Sequence, residues 1–294
     1  MTKISGIFAA TMSVLNSDLS LNVEKTIDHA EKLINQGCHG TAIFGSTGQS
    51  QLISISEKID LLNKLSTSKH KDKHLIGTGL NSLGETINFM KIARSLKFNK
   101  FLIMPPAYYK YGDSEVIEFY TKIIQSIPEC KIILYNFEKL CGYKFSVECV
   151  KELVKRFPDQ IVGVKDSSYN LFENLKLENF SIFPGSELKL LRGLELGCSG
   201  IITATCNVTA EISRKVYDDF YSGKKQSVNK KLCDVRGVFD KYNLISGLHS
   251  YCSQENKIYK NVLPPLSLLN KNDEKNLIQA LKSLNFTNNS SLAA

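Results

Sequence analysis

Short apolar runs recur eight times along the first 205 residues, each followed by a stretch with helical periodicity. The runs are GIFAAT (6–11), GTAIFG (40–45), HLIGTG (74–79), KFLIMP (100–105), KIILYN (131–136), IVGVKD (161–166), SIFPGS (181–186) and GIITAT (200–205). Runs this short, bounded by glycine or polar residues, predict buried strands rather than helices. In NVEKTIDHAEKLINQG, Val23, Ile27, Ala30, Leu33 and Ile34 share one helical face, and Gly37 supplies a stop. SEVIEFYTKIIQSI and SVECVKELVKRF repeat that pattern, with Ser114 and Ser146 placed to cap their starts. Eight strand–helix units at roughly 20–40 residue spacing predict an α/β protein, a (β/α)8 TIM barrel. A doubly wound open sheet is the rival, but GTGLNSLG (77–84) lacks the third glycine of a dinucleotide loop, and no Walker lysine is present.

After residue 206 the strands stop and AEISRKVYDDFYSG begins a helical region. The expected organisation is a barrel over 1–223, with helices over 224–294 packed on it without a linker and NNSSLAA as a frayed tail. Hydrophobic content of 43% and charged content of 22% suit a chain with a real core. No apolar run reaches membrane-span length, and MTKISGIFAATMS is too short in apolar length for a secretory signal, so a cytoplasmic protein is expected. The net charge of +8 comes mostly from lysines scattered singly; KHKDKH (69–74) reads as a loop. That pattern describes a solvated surface with some attraction for anionic substrates, rather than a nucleic-acid face. None of the eight cysteines forms a C-x-x-C pair, so small buried hydrophobes are expected instead of a zinc site or disulfides.

In such a barrel, polar residues at the C-terminal strand ends converge on one mouth. Here they are Thr11, Ser46 and Thr47, Tyr108 and Tyr109, Tyr135, Lys165, Glu187 and Thr205. Lys165 ends an apolar run, so it either snorkels to solvent or stays inside, where holding its charge is costly. An amine kept inside among hydroxyls is a candidate nucleophile for carbonyls, forming a Schiff base that serves as an electron sink. Tyr135, on the preceding strand end, could relay protons or could simply be a half-buried aromatic with a wet hydroxyl.

Taken together, GSTGQS (45–50), ILYNFEKLCG (133–142) and VGVKDSS (162–168) resemble the dihydrodipicolinate synthase/N-acetylneuraminate lyase family of pyruvate-dependent class I aldolases. The resemblance extends from Gly6 to about Gly223 and more weakly beyond. It implies that Lys165 forms the Schiff base with pyruvate and that Tyr135 is the general acid/base. It further implies that Ser46, Thr47 and Gly48 bind the pyruvate carboxylate, with Thr47 tied into the tyrosine relay. Tyr109, or its neighbour Tyr108, would complete that relay across a subunit interface of a homotetramer built as a dimer of dimers. No metal or organic cofactor is implied, and the partners are pyruvate and a small aldehyde, with no nucleic acid and no membrane.

Departures from the family pattern bear on the aldehyde. Leu140 stands where the synthases carry an arginine for aspartate semialdehyde, and Glu138 replaces a proline. ATMSVL also replaces the family's usual segment after the first strand. Leucine at 140 is more like the sialic acid lyases and the 2-keto-3-deoxy-sugar-acid aldolases, and KDSS, with Ser167, leans the same way. FPGSE places Gly185 and Glu187 where sialic acid lyases hold sugar hydroxyls; a helix-initiating acid is the plainer reading of Glu187. The expected activity is therefore a sugar-acid type aldolase or lyase, with 4-hydroxy-tetrahydrodipicolinate synthase as alternative and a non-catalytic 2-oxo acid binding barrel as the distant one.

Overall fold

Eight strands form one all-parallel sheet in the order β7-β6-β5-β4-β3-β2-β1-β8. The structure is a computed structural model that describes residues 3–287; the expected fraying of NNSSLAA lies outside them. The strands are β1 Gly6–Ala10, β2 Gly40–Ile43, β3 His74–Gly77, β4 Lys100–Ile103, β5 Lys131–Asn136, β6 Ile161–Asp166, β7 Ser181–Pro184 and β8 Gly200–Thr203. Between β7 and β8 the Ser199 N–H donates to Ile182 O at 2.8 Å, which bridges the seam and nearly closes a TIM barrel. The expected runs at 131–136 and 161–166 match β5 and β6, while the other six overshoot by one or two residues. In two of those six the overshoot runs into left-handed backbone: Phe44 has φ of 59° and Gly79 of 58°, so the chain leaves the ladder there.

The helices are α1 Val23–Asn35, α2 Ile55–Leu65, α3 Leu83–Ser95, α4 Asp113–Ser126, α5 Glu138–Cys141, α6 Val147–Arg156, α7 Leu190–Glu195, α8 Cys206–Tyr221, α9 Asn229–Phe239, α10 Leu244–Cys252 and α11 Lys271–Ser283. None of the described helices is long and apolar enough to cross a membrane. Ser146 caps α6 by accepting the Cys149 N–H at 2.9 Å. Ser114 does not cap α4, contrary to the spacing argument. Gly112 precedes that helix and donates its N–H to Glu115 at 3.0 Å, while Ser114 sits inside the first turn. A glycine followed by two acids starts the helix by satisfying the leading N–H from Glu115, so no hydroxyl cap is needed.

Two apolar layers follow from the period-two alternation of the strands. Phe8, Ala42, Leu75, Leu102, Ile133, Phe183 and Ile202 fill the barrel interior, with Phe8 and Phe183 edge to face at 5.6 Å. Their neighbours Ile7, Ile43, Ile76, Ile103, Leu134, Val164 and Ile201 face outward under the helices. Helices α9 to α11 share the outer cluster of β1, β8 and α8 through Leu232, Val235, Leu248 and Leu277. Six of the eight cysteines are buried, and all eight are free thiols.

Long-range polar bonds tie the last segments to the first. His29 on α1 is buried with its Nε2 donating to Asn207 Oδ1 and its Nδ1 accepting from the Tyr259 hydroxyl, both at 2.8 Å. Asn207 Oδ1 also accepts the Met12 N–H at 3.0 Å, which fixes the amide's orientation and hence the tautomer. Burial pushes His29 down to about 4, and likewise His74, whose Nδ1 lies 2.8 Å from Thr41 Oγ1. An unfolded histidine titrates near 6.5, so unfolding takes up protons at these sites as the pH falls. Their neutral burial contributes fully above about pH 6.5, and the contribution is lost as the pH falls through about 4. Each is expected to remove roughly 3 kcal/mol over that window. The urea-unfolding free energies of the protein and of His29→Gln, followed from pH 7 to 4.5, should converge as the pH falls; parallel profiles would rule this out.

Candidate active site

Strands β5 and β6 lie side by side, with Tyr135 paired to Lys165 and Asn136 paired to Asp166. Alternation sends these two pairs to opposite faces of the sheet. Tyr135 joins the interior layer, and Lys165 Nζ stands 4.0 Å from the centroid of its ring. The lysine is only 3% exposed, so it stays inside the mouth instead of reaching to solvent. A charged amine over a tyrosine face is held by the ring's quadrupole, and the phenol is carried next to the amine by the strand pairing itself.

The outward pair builds the scaffold. Asn136 Nδ2 donates to Asp166 Oδ1 and to Asn170 Oδ1, each at 2.8 Å, and Asn136 Oδ1 accepts the Phe145 N–H at 3.1 Å. Asp166 also accepts the N–H groups of Tyr169, Leu171 and Phe172 at 2.8 to 2.9 Å. The turn SSYNLF therefore wraps around one buried carboxylate. Burial raises the Asp166 pKa, against the pull of these donors.

Beyond β2, left-handed Phe44 turns the chain into a short 3-10 turn, Ser46–Gly48. Ser46 Oγ lies 3.0 Å from the Tyr135 hydroxyl. The turn's own ladder begins with Gly48 N–H to Gly45 O, so the Ser46 and Thr47 N–H groups lie ahead of it. Gly48 is pressed against the end of β1: a Cβ there would stand 2.8 Å from Thr11 O, and Ser13 Oγ donates to Gly48 O at 2.7 Å. A cavity of about 540 Å³ opens over these groups, lined in part by Ser46, Thr47, Tyr135, Lys165, Ser167 and Gly185.

Other strand-end residues lie elsewhere. The Tyr135 hydroxyl meets Ser46 instead of Thr47, because the first residue of the turn is the one beside β5. Tyr108 and Tyr109 are 90% and 73% exposed, stack edge to face on each other at 5.2 Å, and do not line the cavity of their own chain. Leu140 is half-exposed and lines a neighbouring apolar cavity of about 280 Å³ that shares Ser46 and Tyr135. Glu187 does not face the cavity: it is fully buried, with Oε2 taking Thr203 Oγ1 at 2.8 Å and Arg236 Nη1 at 2.9 Å. Thr205 is buried in the same network, 3.3 Å from Arg236 Nη1, and Thr11 is buried at the end of β1. A carboxylate at this strand end answers to an arginine on α9, so sugar-hydroxyl recognition by Glu187 is not what this geometry offers.

Sequence reasoning missed Asn136, Asp166 and Arg236. The first two carried a signal, since polar residues directly after Tyr135 and Lys165 must point out of the barrel and need partners there. Arg236 lies 49 residues from Glu187, and nothing local marks the pair.

The family model described as the dihydrodipicolinate synthetase family matches residues 3–284. A 4-hydroxy-tetrahydrodipicolinate synthase of Methanoculleus marisnigri is 30% identical over 71% of this chain and 72% of its own length. A 2-dehydro-3-deoxy-D-gluconate/2-dehydro-3-deoxy-phosphogluconate aldolase of Picrophilus torridus is 28% identical over 76% of this chain and 85% of its own. Among solved structures, a prophage protein of the dihydrodipicolinic acid synthase family from Escherichia coli K12, in complex with pyruvate, superposes with a TM-score of 0.86 at 22% identity, covering 97% of this chain and 100% of that one.

The Asp166→Ala change strands three buried backbone N–H groups and one N–H of the Asn136 amide at once. It is expected to lower the urea-unfolding free energy by about 3 kcal/mol. A change within 0.5 kcal/mol (roughly the scatter of neutral surface substitutions) would show that this carboxylate is not the anchor.

Proposed function

The chain belongs to the dihydrodipicolinate synthetase family and is a lyase of aldolase type; from that premise we propose that it joins pyruvate to an aldehyde, or releases it, through a Schiff base on Lys165. The observation that carries this reading is the buried Lys165 amine 4.0 Å from the Tyr135 ring, in one cavity with Ser46 and Thr47. In it, the Lys165 nitrogen adds to the pyruvate carbonyl carbon and water leaves, forming a protonated imine. Loss of a methyl proton gives the enamine, whose carbon attacks the aldehyde carbon. The new alkoxide takes a proton, and water then hydrolyses the imine to restore the amine. The Tyr135 hydroxyl, 3.0 Å from Ser46 Oγ, is the group suited to hand that proton over. The leading N–H groups of Ser46 and Thr47, with their hydroxyls, are assigned to the pyruvate carboxylate. The exposed Tyr108–Tyr109 pair is suited to meet a second copy of the chain, in keeping with a homotetramer.

The leading electrophile is a hydroxylated aldehyde of the sugar-acid type, since Leu140 offers no charge where a synthase arginine would stand. Aspartate semialdehyde is the second reading, favoured by the identity to a named synthase.

Borohydride reduction with pyruvate should leave a pyruvyl adduct on the peptide carrying Lys165, and Lys165→Met should abolish it. Tyr135→Phe should still form the adduct but lower kcat by about 100-fold or more. Mass mapping that finds no adduct at Lys165 would refute the reading.

A further inference from the structure

One side chain holds the far end of the turn assigned to pyruvate. Gln49, the left-handed residue (φ of 55°) that ends Ser46–Gly48, is only 3% exposed. Its Oε1 accepts the Leu263 N–H at 2.7 Å, so the other half of the amide, the Nε2 donor, faces His249 Nε2 at 3.4 Å.

His249 on α10 is fully buried, and its second ring nitrogen fixes its state. Nδ1 lies 2.8 Å from Tyr259 O, a carbonyl that can only accept, so Nδ1 carries a proton. Gln49 meets Nε2 with an N–H, so that nitrogen offers its lone pair and the ring is neutral. A proton on Nε2 would set two donors against each other. Turning the Gln49 amide over only moves the conflict, because its NH2 would then face the Leu263 N–H.

Nothing around the ring offers a cation relief. Neither residues 44–53 nor residues 261–269 include an ionisable side chain. Helices α9 and α11 share an apolar cluster with α10, whose own titratable neighbours are Tyr251 and Cys252. Tyr259 lies 6.4 Å away between ring centroids, and a charge on His249 opposes one on His29 of α1. Burial lowers the His249 pKa, against the pull of the Tyr259 carbonyl.

We propose that His249 and Gln49 are positioning residues that form an acid-released latch on the pyruvate turn. Neutral His249 holds Ser46 and Thr47 in place for the pyruvate carboxylate, and a proton on Nε2 frees the turn and weakens pyruvate capture. The inference rests on the assignment of that turn to pyruvate and adds its regulation by pH.

Linkage is reciprocal, so a latch that favours pyruvate when neutral must titrate lower when pyruvate is bound. Histidine 15N NMR of the parent, which has five histidines, reads this directly. His249 should show the Nδ1–H tautomer at pH 7.5, and saturating pyruvate should lower its midpoint by about one pH unit, the equivalent of about tenfold in affinity. In parallel, the pyruvate concentration that half-saturates cyanoborohydride trapping on Lys165 is measured from pH 7.5 to 5, with circular dichroism as the check that the chain stays folded. From pH 7.5 to 5 it should rise about tenfold more in the parent than in Gln49→Glu, whose carboxylate accepts from both protonated His249 and Leu263 and keeps the latch closed in acid. Should Gln49→Glu fail to fold, the NMR titration of the parent carries the test. An Nε2–H tautomer, a ring still neutral at pH 5 without pyruvate, a midpoint that pyruvate does not move, or parallel trapping profiles overturn the inference. If one of these accompanies a normal adduct on Lys165, the aldolase reading stands. If no adduct forms in the parent at pH 7.5, both fall.

Discussion

The carboxylate of Asp166 fixes the geometry on which the mouth of the barrel depends. It accepts three backbone N–H groups from the turn that follows it and one amide proton from Asn136 on the neighbouring strand. The last bond pins the register of β5 on β6, one residue beyond the Tyr135–Lys165 pair. A slip of one residue in a strand moves every side chain to the other face, which would drive Lys165 out under the helices. Acid and amine on adjacent residues thus have separate duties: one locks the alignment from outside the barrel, the other presents its nitrogen within it.

Much of this was legible in the chain itself. Apolar runs of four to six residues could only be strands, their number and spacing pointed to a closed parallel barrel, and the hydroxyl-bearing strand ends followed from the pleat. The motifs around Ser46, Tyr135 and Lys165 carried the family resemblance, and those residues do meet in one cavity. What could not be read depends on distant partners. Glu187 at a strand end suggests a ligand group until Arg236 is seen beside it, and helix α9 bears no mark of where it will dock. The exposed Tyr108–Tyr109 pair is a second case, since neither ring lines the cavity of its own chain. The start of α4 is a smaller one, where Glu115 reaching back to Gly112 outcompetes the nearby serine.

The Arg236 cluster shows how the helices after the barrel take part in the site. Its ion pair with Glu187 is buried on both sides, and removing one partner of such a pair typically costs several kcal/mol because the other is left charged and unsolvated. Thr203 at the end of β8 and Thr205 at the start of α8 share the same guanidinium. Helix α9 is thereby joined to two barrel units near the mouth, and the wall of the cavity on that side belongs as much to the later helices as to the strands.

The segment around residues 259–263 reaches back still further. Tyr259 bonds His29, Asn261 Nδ2 donates to Leu15 O at 3.0 Å, and the Leu263 N–H donates to Gln49 Oε1 at 2.7 Å. Gln49 is the left-handed residue that ends the Ser46–Gly48 turn. The turn assigned to pyruvate is therefore secured by residues more than two hundred positions downstream. On the ribosome, the barrel's eight strands emerge well before that clasp does, so a nascent chain carries Lys165 and Tyr135 long before the loop between β2 and α2 is tied in place. Assembly of the site waits on a segment made more than two hundred residues after the turn that it secures.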